Sequence, residues 1–192
     1  MPGPLIPLTP LSPTADVSVR PAVAGDEQEI ARVQLAAWRD SLAETLGTEV
    51  LDQLDPAQLT AQWAQAITAP PGPGFRVLVA MHGPRLVGFA SVAPVTASEQ
   101  DESTAPGGEI LALEVLPEAR RVGHGSRLLA AVVDLIRDED GADSVQIWVL
   151  SADAVRQQFL GSAGLDDMGV ERHLGSENDP REVTERLWAA SV

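Results

Sequence analysis

The chain has no cysteine and no lysine among its 192 residues, and each absence closes off a class of chemistry. Without cysteine there are no disulfides and no thiol nucleophile. Without lysine there is no Walker A phosphate loop, whose lysine reaches the terminal phosphates. Histidine is scarce as well. His82, His124 and His173 stand apart, at no spacing that suits a metal, so no metal cofactor is expected. No apolar run approaches the roughly 20 residues of a membrane-spanning helix. Thirteen arginines face 28 acidic residues, a formal net charge of −15, which argues against nucleic acid or an anionic membrane as partner. The same acidity suits a cationic acceptor such as an amine, and serves solubility equally well. The first residues, MPGPLIPLTPLSPTAD, have neither a basic start nor a clean apolar block. They are therefore not expected to be a signal peptide, and the expected location is cytoplasmic.

A hydrophobic content of 44% over 192 residues suits one globular domain with a proper core. Residues 1–16 hold five prolines and are expected as a flexible tail, leaving 17–192 as the folded domain. Asp16 to Arg20 alternates as a first strand. Asp26 is placed to cap a helix, with Glu29 in the capping-box position and Ile30, Val33, Ala37 and Trp38 as its apolar face. Residues 41–54 read as a less regular helical piece. Asp55-Pro56 then starts another helix, with Asp as cap and Pro in the first turn, carrying Leu59, Trp63, Ala66 and Ile67 until Pro70 to Gly74 stop it. Phe75–Met81 and Arg85–Val95 form a hairpin about His82-Gly83-Pro84, with Phe75, Val77, Val79 and Met81 on one face. A polar loop at 96–108 follows.

The stretch from Glu109 to Arg127, EILALEVLPEARRVGHGSR, is the most informative. Ile110 to Leu116 is an almost unbroken apolar run of strand length, ended by Pro117, which has no N–H to donate. Arg120-Arg121-Val122-Gly123-His124-Gly125-Ser126 then leads into a helix carrying Leu128, Leu129, Val132, Val133, Leu135 and Ile136, with Gly141 at its end. Gly123 and Gly125 let the backbone approach a ligand closely. Successive N–H groups at a helix start make a pocket for an anion such as a pyrophosphate. Arg120, Arg121 and Arg127 lie within eight positions and give this acidic chain the local positive charge that a polyanion needs. Ser144 to Leu150 is a further strand, which makes a βαβ unit with a parallel pair. A helix from Ala152 to Ser162, stopped at Gly164, and strands at about 167–174 and 182–190 complete the chain.

Arg120-x-x-Gly123-x-Gly125, directly after the strand Leu113-x-Val115-x-Pro117, resembles the acyl-CoA-binding signature (Q/R-x-x-G-x-G/A) of the GNAT N-acetyltransferase superfamily. The succession of elements from about 17 to 190 is similar too. The resemblance implies an α/β (α+β) fold with a mixed central sheet of about seven strands and helices on both faces. The parallel strands 109–116 and 144–150 would splay to admit the pantetheine arm. It further implies acetyl-CoA as co-substrate and a small-molecule or peptide amine as acceptor, and leaves a homodimer open. By the same resemblance the N–H groups of Val122, Gly123, His124, Gly125 and Ser126 would bind the pyrophosphate, with Arg120 and Arg121 at the phosphates. The backbone of Leu113, Val115 and Leu116 would run beside the pantetheine. The N–H of Leu113 would face the thioester carbonyl. Glu109 stands where some members place a general base, with a solvated strand-end carboxylate as the alternative. Glu114, the only charge inside the apolar run, is expected on the same side as Ala112 and Ile110, as base, ammonium-binding group or surface residue.

The last helix departs from the family pattern Asn-x-x-Ala-x-x-Phe-Tyr. Asp153, Arg156, Phe159 and Leu160 hold those places, and the chain has no tyrosine anywhere, so the usual acid for the leaving sulfur is absent. Asp153 would still touch the cofactor, and either Gln157, one turn before Leu160, or water would donate to the sulfur. Binding of acyl-CoA without turnover, as a sensor or scaffold, is the alternative. Trp38, Asp40, Glu44, Glu49, Asp52 and Trp63 are the acceptor-side groups. A dinucleotide-binding oxidoreductase is disfavoured because the third glycine of that fingerprint is missing, and a serine hydrolase because Ser126 lacks the G-x-S-x-G setting.

Overall fold

The computed structural model describes residues 17–95, 107–176 and 179–192, with backbone alone at 176 and 179–182. The tail at 1–16 and most of the loop expected at 96–108 lie outside these. Seven strands form one mixed sheet: β1 (Val17–Pro21), β2 (Arg76–His82), β3 (Arg85–Pro94), β4 (Gly107–Val115), β5 (Ser144–Leu150), β6 (Asp166–Ser176) and β7 (Asp179–Ser191). Their spatial order is β1-β2-β3-β4-β5-β7-β6, and among the described residues β4 and β5 are the only neighbours paired in parallel. The helices are α1 (Glu27–Ser41), α2 (Ala43–Leu46), α3 (Thr48–Asp52), α4 (Pro56–Thr68), α5 (His124–Asp140) and α6 (Ala154–Ser162). None among the described residues is long and apolar enough to cross a membrane.

Two adjacent residues of β3 show that the sheet is covered on both faces. A Cβ on Gly88 would lie 3.3 Å from Leu128 of α5. Phe89, next along, packs edge-on against Trp63 of α4 at 4.9 Å. Neighbouring strand residues point to opposite faces, so α5 covers one and α4, packed beside α1, covers the other. Double coverage explains why Leu78, Val79 and Ala80 are buried in succession, where a one-sided sheet would bury alternate residues.

The helix starts divide instructively. Asp55 caps α4 as expected, accepting from the Ala57 N–H at 2.8 Å with Pro56 in the first turn. Asp26 precedes α1 but forms no capping box. Its carboxylate is held by both Arg20 nitrogens, at 2.7 and 2.9 Å, and by the Val23 N–H. That bidentate pair ties β1 to α1, and the Arg20 hydrogen bond holds the Asp26 carboxyl below its ordinary pKa. Glu29 turns instead to Arg32. The closing strands are longer than expected, at Asp166–Ser176 and Asp179–Ser191.

A bulge in β4 decides where its side chains point. Ser91 pairs with Ala112 but Val92 pairs with Ile110, so Leu111 is an extra residue on β4. Upstream of it Ile110 lies on the α5 face, with Gly108, where a Cβ would meet Ile136 at 2.9 Å. Downstream the phase is reversed. Ala112 and Glu114 lie on the α1/α4 face, Glu114 opposite Phe89. Glu114 thus shares a face with Ala112 but not with Ile110, a correction to the simple alternation. Glu109, opposite Ala93, joins Glu114 on that face although five positions separate them.

Candidate active site

The parallel ladder between β4 and β5 holds only from Gly107↔Ser144 to Ile110↔Ile147. Beyond it Leu111–Val115 and Trp148–Leu150 part, leaving the gap expected between these strands. Leu116, at the end of β4 and buried, donates its N–H to Val87 across β3 at 2.9 Å. In an extended strand peptide groups alternate in direction, so those of Val115 and Leu113 turn the other way, into the gap.

The glycine loop opens at the same end. After a 3-10 turn at Pro117–Ala119, Arg121 takes a left-handed conformation (φ 63°), the one non-glycine residue to do so among those described. That conformation costs ~1–2 kcal/mol in an L-residue. Gly123 is also left-handed (φ 94°) and forms the N-cap of α5. The first helical bond runs from Arg127 N–H to the Gly123 carbonyl. The six successive N–H groups from Arg121 to Ser126 have no acceptor among the described residues. Six free donors at the head of a 17-residue helix make a site that favours negative charge.

The arginines divide by role. Arg120 reaches back, donating through Nε to the Val115 carbonyl at 3.2 Å and pairing with Asp40 of α1. It braces the loop against β4, and Asp40 is spent on it. Arg121 and Arg127 are exposed and make no ion pair among the described residues. The Arg127 guanidinium lies over Gly123, with Nη1 2.6 Å from where a Cβ there would sit. On a chain this acidic, two unneutralised cations beside six free donors are a concentrated positive site.

His124, first residue of α5, is 1% exposed, and its ring lies below the loop. Its Nε2 is 3.4 Å from Nδ1 of His82 and its Nδ1 has no partner. Burial first, then His82 and Arg127, push its pKa below the usual 6.5. An unfolded chain therefore takes up this proton at a higher pH than the folded one. Stability is expected to fall as pH drops below about 6.5, and to level off only once the folded imidazole titrates as well. Melting midpoints between about pH 7.5 and 5.5 should show this slope, and His124→Met should flatten it. An unchanged slope would mean that other groups carry it.

The acidic candidates differ sharply. Glu109 is half-buried and accepts one hydrogen bond, from Gln146 Nε2 at 3.0 Å. Glu114 is 5% exposed, and both its oxygens take Arg156 Nη2 at 2.9 Å. Asp153 is the N-cap of α6, accepting from the Arg156 N–H at 2.9 Å, while its other oxygen lies 3.4 Å from Arg156 Nε. Burial works against the charge on Arg156, but Glu114 and Asp153 outweigh it and its pKa is raised. The Gln157 amide, expected near the sulfur, donates to the carbonyls of Leu150 and Ser151 at 3.1 Å.

Ser126 is exposed at the loop's rim, and Gly125 packs near Phe159 and Val115. Among the acceptor-side groups, Trp63 is part of the packing, its Nε1 donating to Gln34 at 2.7 Å, and Trp38 is half-buried. Glu44, Glu49 and Asp52 are exposed on α2 and α3. Sequence reasoning missed Arg156 as the partner of Glu114, Gln146 as that of Glu109, and Arg172, whose guanidinium stacks 4.3 Å from the Trp148 ring. The described residues hold no cluster of three metal-ligating side chains.

Comparison with known proteins bears on the family and the fold. The model of the Acetyltransferase (GNAT) family matches residues 35–164. The uncharacterized N-acetyltransferase YuaI of Bacillus subtilis is 28% identical over 135 residues, 70% of this chain and 72% of YuaI. Among solved structures, PaiA N-acetyltransferase from Thermoplasma acidophilum in complex with coenzyme A superposes with a TM-score of 0.69. It is 16% identical, over 92% of this chain and 99% of that one. YncA from Salmonella typhimurium, solved with acetyl-CoA, gives 0.66 at 17% identity, over 92% and 94%. At such identities the structural likeness carries the fold, whereas the family match rests on the sequence itself. The chain belongs to the acetyltransferase (GNAT) family.

Proposed function

We propose that this protein is an acetyl-CoA-dependent N-acetyltransferase, acting on a primary amine of a small molecule or peptide by direct attack in a ternary complex. The observation that carries the reading is the run of six N–H groups from Arg121 to Ser126 that have no acceptor among the described residues, beside Arg121 and Arg127, which have no ion-pair partner among them, at the mouth of the β4/β5 gap. A diphosphate would take the donors of Val122 to Ser126, with the two arginines as counter-charges. Arg120 holds the loop in place through Val115 and Asp40. The gap-facing peptides of Val115 and Leu113 would pair with the pantetheine amides as an added strand, with the backbone of Leu116 alongside. Acetyl-CoA would supply the activated acyl group and a thiolate leaving group.

The Leu113 N–H is the donor for the carbonyl oxygen, where negative charge builds as the amine attacks. Glu109 is the better base of the two carboxylates. Its acid group has one neutral partner, whereas Glu114 is bound on both oxygens by a cation. An acceptor ammonium would lose its proton to Glu109 directly or through water before attack. The half-buried Trp148, under Arg172, adds an aromatic wall on the same face as Gln146.

Titration calorimetry with coenzyme A, joined to thiol release from acetyl-CoA over a panel of primary amines, tests the reading. Micromolar binding with amine-dependent thiol release is the expected result. Binding with no release for any amine would favour the sensor or scaffold reading. No binding would overturn both.

A further inference from the structure

Resting on that reading, we propose that Arg156 meets the departing sulfur, held as a fixed cation by Glu114 and Asp153. Its side chain leaves the first turn of α6, shortly after β5 ends at Leu150, and reaches Glu114 on β4 beyond the point where the parallel ladder stops. It therefore crosses the mouth of the gap, one residue along β4 from Leu113. Nη2 spends both its protons on Glu114 and Nε points at Asp153. Nη1 has no acceptor among the described residues, and it is not one of the atoms sealed from solvent without a partner. Two N–H donors of a rigid, permanently charged fork are thus left over for a ligand.

The surroundings give that fork its purpose. A buried ion pair is an expensive way to join a helix to a strand, since its desolvation commonly cancels its attraction. Asp153 caps α6 with one oxygen and faces Nε with the other, so two carboxylates hold the guanidinium in place and only its Nη1 edge keeps donors for a ligand. The other side chain that sequence places near the sulfur, Gln157, is engaged with the end of β5. In the reaction the amine nitrogen bonds to the carbonyl carbon, the carbon–sulfur bond breaks and its electron pair stays on sulfur. The guanidinium keeps its own protons and stabilises the thiolate through the N–H donors of Nη1, while the proton shed by the amine passes to Glu109 or water. No acid is then needed at the moment of cleavage, which suits a chain without tyrosine.

The test is the ionisation of bound coenzyme A, read from the ultraviolet absorbance of its thiolate across a pH titration at saturating protein. In the wild type the bound thiol should titrate at least one unit below that of free coenzyme A measured alongside. Arg156→Gln should return it upward by about one unit, a tenfold loss of thiolate near neutral pH, and Arg156→Lys should recover part of it. If Arg156→Gln fails to fold because Glu114 is stranded, the double variant Glu114→Gln/Arg156→Gln leaves a neutral amide pair and should show the same upward shift. With acetyl-CoA, Arg156→Gln should lower kcat by ~10²-fold while KM changes little. An ordinary thiol pKa in the wild type, or one that does not respond to either variant, overturns this role while leaving the acetyltransferase reading intact. Failure of the wild type to bind coenzyme A at all overturns both.

Discussion

Gly125→Asp is expected to abolish coenzyme A binding while the protein stays folded. A Cβ at position 125 would lie 3.5 Å from Phe159 Cζ and 3.9 Å from Val115 Cγ2, ordinary contact distances, so the backbone site accepts a small side chain. An aspartate in the first turn of α5 also suits the helix dipole and would not by itself unfold the helix. It would harm the loop's function. The carboxylate would take the free donors of Gly125 and its neighbours and set a negative charge where the diphosphate must lie. Loss of two or three charge-assisted hydrogen bonds, added to repulsion, corresponds to at least ~10²-fold in Kd, or ~3 kcal/mol. Gly125→Ala keeps the donors and should stay within a few-fold of the wild type. Calorimetry on both variants, with melting curves as a folding control, decides the matter. An aspartate variant that binds coenzyme A normally would remove the loop from the site.

That the loop was legible in the sequence, while much around it was not, follows from the range of the interactions. A strand ended by proline, two glycines and a helix start are all written within about twenty consecutive residues, and the structure places Gly123 and His124 at the helix start. The β5 strand and the Asp55-Pro56 helix start are equally local. The bulge at Leu111 is not. Alternation assumes an unbroken register, and an extra residue in β4 appears only against its partner β3. Leu111 accordingly lies 57% exposed within what reads as a buried apolar run. Glu114 looked like a lone charge because its partner stands 42 positions later, and nothing near either residue advertises the other. Asp26 shows the opposite failure. The local capping signal is present, but Arg20, fixed on the adjoining strand, claims its carboxylate first.

The bulge also bears on the proposed catalysis, because it sets Glu109 on the α1/α4 face of the sheet together with Ala112 and Glu114. Glu109→Gln is expected to lower kcat by ~10²–10⁴-fold, the usual span for a lost general base. The amide has nearly the same shape and keeps a hydrogen bond to Gln146, so KM for acetyl-CoA should move by no more than about twofold. A base that must be ionised gives the rate an acidic limb, and this limb should disappear in the variant. Activity should instead climb with pH toward the ammonium pKa of the acceptor, since a free amine needs no base to lose its proton. Steady-state kinetics across pH separate this from a structural role, which would weaken cofactor binding and turnover together and leave the profile's shape unchanged. Glu114 offers no such route. Its oxygens are bound by Arg156, and removing its charge would leave the partly buried guanidinium with Asp153 alone, so its loss should register in stability as well as rate. The two carboxylates thus share a face yet differ in what holds them: Glu109 accepts from one neutral amide, whereas both oxygens of Glu114 are taken by a cation.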